Sequence, residues 1–249
     1  MIDLSNSLLI AVAATFFVAG IVKGVTGMGL PTVAMGVLGG LFSPLAAAAL
    51  LIVPSFVTNV WQLLAGPSVM VIVRRLWTMM AGVMLGTFAG SSILKNGETG
   101  LSTFMLGFAL AAYAVYTLFA RPFQVRPQDE RWLSPLVGGV TGLIAGATGV
   151  FVIPAVPYVQ ALGLRRDDLV QALGLSFTVS TIALAAALGS RGVFETHTLL
   201  LSSAAVVPAL FGMWAGQSVR RRVTPTTFKR CFLIALALLG LEMMLRYVL

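Results

Sequence analysis

Charge is scarce in this chain, where only 10% of residues are Asp, Glu, Lys or Arg. Soluble domains carry about a quarter, so an ordinary soluble fold is excluded. Cysteine and histidine are scarcer still, with one of each, Cys231 and His197. One cysteine cannot build a disulfide framework, and no Cys/His/Asp/Glu set has metal-ligand spacing. Cys231 therefore reads as a small apolar residue on a helix, and His197, beside Glu195 in a short polar stretch, as a solvated loop residue. No serine stands in a G-x-S-x-G elbow. Glu242 is the one acid inside an apolar run, and Arg246 follows it at helical i+4 spacing as an ion-pair partner. An enzyme is not expected, and neither is a cofactor.

What is abundant is apolar surface. Hydrophobic residues make up 58% of the chain, with a mean hydropathy of +0.98, which marks a polytopic membrane protein. The formal net charge of +8 is spread over short loops between apolar runs. Such residues serve as interfacial anchors and topology signals, so lipid is an expected partner and nucleic acid is not. The first apolar run is preceded by Asp3 and not by a basic segment, and it reads as a retained membrane helix, not a signal peptide.

A spanning helix needs about 20 mostly apolar residues. The first region, 8–41, is longer than one crossing and is interrupted by a glycine cluster, which suggests a helix followed by a half-helix. Ser43-Pro44 opens a run to 64 that Gly66-Pro67 closes. A third run follows Arg74 and Arg75 to 94, and a fourth covers 101–119. The polar stretch 121–131 is the only extended one and reads as a connector. A second glycine-broken region, 135–162, ends in a turn at 163–168. Runs at 169–188, 199–219 and 228–248 complete the chain, with Arg220, Arg221 and Arg222 between the last two.

The order suggests a single membrane domain over 1–249, built from an internal duplication: 8–119, a connector at 120–133, and 134–249, each half with four segments. Gly20, Gly24, Thr26 and Gly27 match Gly142, Gly146, Thr148 and Gly149 at one offset. Ser55, Phe56 and Asn59 match Ser176, Phe177 and Ser180, and Gly86, Ala89 and Gly90 match Gly212, Ala215 and Gly216. The expected architecture is an all-α transmembrane bundle of two repeats, each opening with a broken element. With eight crossings the basic residues divide almost evenly between the two sides, so orientation stays open, as does the choice between parallel and inverted repeats.

Broken helices in corresponding positions are where many transporters bind substrate. Glycine lets the backbone leave helical geometry, and a helix restarting after a break points free N–H groups at the gap. That suits an anion. Lys23 adds a positive charge beside the first break, an ionisable residue at membrane depth and so a functional candidate, while Thr26 and Thr148 place hydroxyls at matching positions. The competing reading is close helix packing of the small-xxx-small type, which accounts for Gly82, Gly86, Gly90, Gly212 and Gly216. Ser55 with Asn59, and Ser176 with Ser180, lie four apart on one helical face. They can complete a polar cavity or simply bond neighbouring helices, and Gln62 and Gln171 are weaker candidates of the same kind.

The run 20–35, G-I-V-K-G-V-T-G-M-G-L-P-T-V-A-M, and its counterpart 142–154, G-L-I-A-G-A-T-G-V-F-V-I-P, resemble the paired signatures of the TauE/SafE family of membrane permeases, the sulfite exporters. The resemblance implies secondary transport of a small sulfur-containing anion such as sulfite, thiosulfate or an organosulfonate across a bacterial inner membrane. Export by alternating access between two repeats is the direction and mode it implies. Carried over by residue, the site falls on Lys23, Gly24, Thr26, Gly27 and Gly29, and on Gly146, Thr148 and Gly149. Met28 stands where an aromatic is common, Val150 and Phe151 where many members continue with glycine, and Lys23 where an uncharged polar residue is frequent. Two rivals are a passive anion channel and a non-transporting membrane subunit or assembly factor. Oligomeric state is open.

Overall fold

The computed structural model describes residues 6–96, 99–120, 123–220 and 224–248. Arg121, Arg221 and Arg222 lie outside the described residues. The chain is all-α, and no strand occurs among the described residues. The helices are α1 (Asn6–Thr26), α2 (Leu30–Leu41), α3 (Pro44–Leu64), α4 (Val69–Asn96), α5 (Thr99–Phe119), α6 (Pro127–Thr148), α7 (Ala155–Ala161), α8 (Arg166–Gly189), α9 (Thr196–Ala204), α10 (Val206–Arg220) and α11 (Pro225–Val248). Six stretches are long and apolar enough to cross a bilayer: Leu8–Thr26, Pro44–Leu64, Val69–Leu94, Gly100–Phe119, Arg166–Gly189 and Thr196–Arg220.

Local chemistry explains where several helices begin and bend. Ser43 caps α3 by accepting from the Ala46 N–H at 3.2 Å, with Pro44 in the first turn. α6 starts at Pro127, inside the stretch read as connector. Its first turn carries Asp129 and Glu130, which suit a helix N-terminus. The polar residues there mark a helix start. The run 199–219 is likewise two helices, α9 and α10, meeting at Ala205. Pro208, three residues on, supplies no N–H for the Ala204 carbonyl.

Pro54 sits inside α3 and leaves the Leu50 carbonyl without its usual donor. The Ser202 hydroxyl of α9 donates to that carbonyl at 2.8 Å and accepts from the Val53 N–H at 3.2 Å. A free carbonyl in an apolar interior is thus paired by a neighbouring helix, as such environments require.

The helices pair through glycines. A Cβ on Gly20, Gly24, Gly212 or Gly216 would collide with the backbone carbonyl of Ala209, Met213, Phe17 or Ile21 respectively, so α1 and α10 run parallel in close contact. The same holds for α4 and α6. There Gly82, Gly86 and Gly90 meet the carbonyls of Pro135, Gly139 and Leu143, and Gly142 and Gly146 meet those of Val83 and Thr87. α3 and α8 run antiparallel, with Asn59 bonded to Thr181, Gln62 to Val170 and Gly174 against the backbone of Gln62 and Leu63, and α5 and α11 run antiparallel through Gly107 and Gly240.

The broken elements do not cross. The Val125 N–H, just before α6, donates to Ala161 O at the end of α7 at 2.9 Å. The chain therefore returns to the end it left. α7 has only 7 residues, about 10 Å of helix against a hydrocarbon thickness of about 30 Å. α2 likewise leads back toward Leu106, Met243 and the start of α3, which lie around Gly39. The even division of basic residues reckoned for eight crossings therefore does not apply.

Candidate functional site

Both breaks use one device. Gly27 at φ 78 and Gly149 at φ 73 adopt the left-handed conformation, which costs a residue with a Cβ about 1–2 kcal/mol. Each closes its helix by donating to the carbonyl four back, Lys23 O and Ala145 O, both at 2.8 Å. The preceding threonine staples the turn. The Thr26 hydroxyl proton is shared between the carbonyls of Val22 (2.8 Å) and Met28 (2.6 Å), while its oxygen accepts from the Met28 N–H at 3.2 Å. Thr148 donates to Ile144 O at 2.7 Å and accepts from the Val150 N–H at 3.2 Å. Both hydroxyls are therefore occupied locally, and Val150, Phe151 and Val152, which follow the second break, are fully buried.

Past the first break, α2 starts at Leu30 after Gly29, which has φ 103 and makes no side-chain cap. Its first turn is buried, and Pro31 there has no N–H to satisfy. Thr32 bonds back to Gly29 O at 2.8 Å.

Lys23, on the last turn of α1, is 3% exposed. Its ammonium donates to Thr58 Oγ1 at 3.2 Å and to Asn59 Oδ1. Both acceptors lie on α3 and are themselves held. The Thr58 hydroxyl donates to Pro54 O at 2.8 Å, and Asn59 Nδ2 donates to Thr181 Oγ1 of α8 at 3.4 Å. Thr181 in turn donates to Phe177 O at 2.7 Å. The line Lys23–Asn59–Thr181 thus crosses from α1 through α3 to α8. No carboxylate joins it, and none of the ion pairs among the described residues includes Lys23.

The hydroxyls of Ser55 on α3 and of Ser176 and Ser180 on α8 are fully buried and have no hydrogen-bond partner among the described residues. Unpaired buried polar atoms are rare in native proteins and call for an explanation. All three fall on the faces singled out from the sequence. Gly24 and Gly146 do not serve the breaks, because their bare Cα atoms admit α10 and α4. Thr58 and Thr181 were missed. Their signal was adjacency, each lying beside a polar residue already selected, but neither has a polar counterpart in the other half.

A cleft lined by Gln62, Gly66, Arg166, Asp167, Gln171 and Arg220 opens where α3 ends and α8 begins. Gln62 lies one helical turn beyond Asn59 and donates to Val170 O at 3.0 Å, leaving its Oε1 without a partner. At the opposite end of α8, Leu184, Ala187 and Leu188 are buried. The polar centre is therefore flanked by a charged cleft on one side and by packed apolar residues on the other.

Comparison with known protein families matches residues 12–243 to the sulfite exporter TauE/SafE family. The chain belongs to this family. Every residue of the polar centre lies inside the match. No curated protein and no solved structure matches. TauE/SafE membership makes this a multi-pass membrane protein of a transporter family, in which a buried lysine among neutral oxygens is suited to hold an anion.

Proposed function

We propose that this TauE/SafE protein is a secondary transporter that exports a small sulfur-containing anion, with Lys23 as the positive charge the anion meets. The observation that carries the reading is the lysine at 3% exposure facing Thr58 and Asn59 with no carboxylate counter-ion. Burying an ion without a partner is costly, and an anion supplies the missing charge. Ser55, Ser176 and Ser180 add hydroxyl donors that no described residue uses.

The helix directions support two halves of inverted topology. In the four-plus-four duplication, α3 and α8 correspond, as do α5 and α11, and each pair runs antiparallel. The parallel pairs α1 with α10 and α4 with α6 are the two cross-contacts that a two-fold axis in the membrane plane would generate. Inverted halves around a central site are the usual architecture for alternating access.

Orientation follows from charge. Arg74 and Arg75 at the start of α4, Arg126 and Arg131 around the start of α6, and Arg165 and Arg166 at the start of α8 lie at one end. Arg220, Lys229 and Arg230 join them there, while among the described residues only Lys95, Arg191 and Arg246 lie at the other. The basic end faces the cytoplasm by the positive-inside rule, in a bacterial inner membrane, and the Gln62–Arg166–Arg220 cleft then opens to the cytoplasm. An anion leaving the cell enters there.

Thermal-shift measurements on detergent-purified protein with sulfite, sulfate, thiosulfate, taurine and sulfoacetate test this. At least one anion is expected to stabilise the protein saturably, and Lys23→Ala and Lys23→Gln are expected to abolish the shift. No stabilisation by any of them would instead favour a non-transporting subunit or assembly factor. Binding with non-saturating, purely downhill flux would favour a channel.

A further inference from the structure

We propose that Lys23 is the coupling group of the carrier as well as its anion ligand, taking up one proton with each anion and returning as the neutral amine. This rests on the anion-carrier reading above. α1 holds no other ionisable residue, and α2 and α3 hold none. Among the elements packed around this centre, α10 contributes Arg220 at the cleft. α8 contributes Arg166, Asp167 and Asp168 in its first turn. α11 carries Lys229 and Arg230 toward that end and the Glu242–Arg246 ion pair toward the other. On α5, Tyr113 donates to Met28 Sδ at 3.5 Å. None of these is a carboxylate in contact with Lys23. An ammonium held there is thus balanced in two ways only, by a bound anion or by loss of its proton.

The partners fit both states. A neutral amine has two N–H donors and one lone pair, and Lys23 donates to two oxygens, Thr58 Oγ1 and Asn59 Oδ1. Thr58 has its own proton on Pro54 O, and Asn59 is held by Nδ2 on Thr181, so both oxygens face Lys23 as acceptors in either state. The lone pair is the valence left over. Protonating it makes a third N–H, and that bond is the one free to donate to an anion oxygen. Proton and anion therefore arrive at the same atom. When the anion leaves, the third N–H has no acceptor, and its proton departs to water with it. Only that N–H bond forms and breaks, so the empty carrier returns with no charge at Lys23, while the loaded one moves with the ammonium's single charge set against that of the anion.

Proteoliposomes loaded with thiosulfate test this, since thiosulfate holds one charge state near neutral pH and any proton movement then belongs to the carrier. Sulfite serves as a second probe. Net efflux by the wild type is expected to carry one proton per anion, read with a pH-sensitive dye, while anion-for-anion exchange carries none. Lys23→Arg cannot lose its proton under these conditions. Its ratio of net efflux to exchange is expected to fall at least about tenfold below that of the wild type. Saturable wild-type efflux that is silent to the dye, or a ratio in Lys23→Arg equal to that of the wild type, overturns the coupling and leaves the carrier reading intact. Absence of saturable flux for these two probes and for taurine and sulfoacetate overturns the carrier reading itself. If Lys23→Arg proves inactive in exchange as well, the wild-type proton count alone decides.

Discussion

Lys23 is held by neutral oxygens that are themselves oriented, so its environment can be altered without touching its charge. Asn59→Leu keeps the volume but removes both the Oδ1 acceptor and the Nδ2 link to Thr181. Hydrogen bonds to charged groups contribute about 1.5–3 kcal/mol, so the Kd for the stabilising anion should rise at least about tenfold, read by titrating the thermal shift. A second residue-scale test concerns Ser202. Ser202→Ala leaves the Leu50 carbonyl unpaired only because residue 54 is proline. The expected loss is about 1 kcal/mol, and it should shrink in a Pro54→Ala background, where the substituted residue supplies the helix's own N–H and only the Val53 N–H bond to Ser202 is lost. A double-mutant cycle by denaturation in detergent reads the coupling, and equal losses in both backgrounds would refute it.

At the scale of helices, the seams are built from bare backbone. A side chain on Gly86 would meet the Gly139 carbonyl, whereas Gly139 has open space around its own Cβ position. Gly86→Leu should therefore force α4 and α6 apart and destabilise by about 3 kcal/mol or prevent assembly. Gly139→Ala should stay within about 0.5 kcal/mol of the wild type. Denaturation midpoints of the two variants give the contrast, and similar values would place the seam elsewhere. The breaks use glycine differently, since Gly27 is required by φ with open space around its Cβ position, and Gly149 by φ with the end of the Met35 side chain also against it.

The whole molecule has one strongly basic end, and orientation is its testable property. In a Cys231→Ser background, Arg165→Cys at the start of α8 should react with a membrane-impermeant maleimide only after the cells are broken open. Arg191→Cys, at the opposite end of α8, should react in intact cells. Reversed labelling would invert the carrier and make the Gln62–Arg166 cleft an outer opening, suited to uptake and not to export.

Membrane class, family and the position of both breaks were legible in one dimension. Apolar run length and glycine spacing are local quantities, and a left-handed turn after Thr-Gly is decided within a few residues. Lys23 stood out for the same reason, as a charge inside an apolar run. Other facts needed the fold. Gly24 and Gly27 look alike in sequence, yet one admits α10 and the other turns the chain, because only the packed neighbour reveals which constraint acts. Thr58 and Thr181 became part of the centre through contacts made 35 and 122 residues apart in the chain, Lys23 to Thr58 and Asn59 to Thr181. The crossing number, too, depended on where α7 ends in space. Chain length permits a broken helix either to cross or to turn back, and the Val125–Ala161 hydrogen bond shows that it turns back.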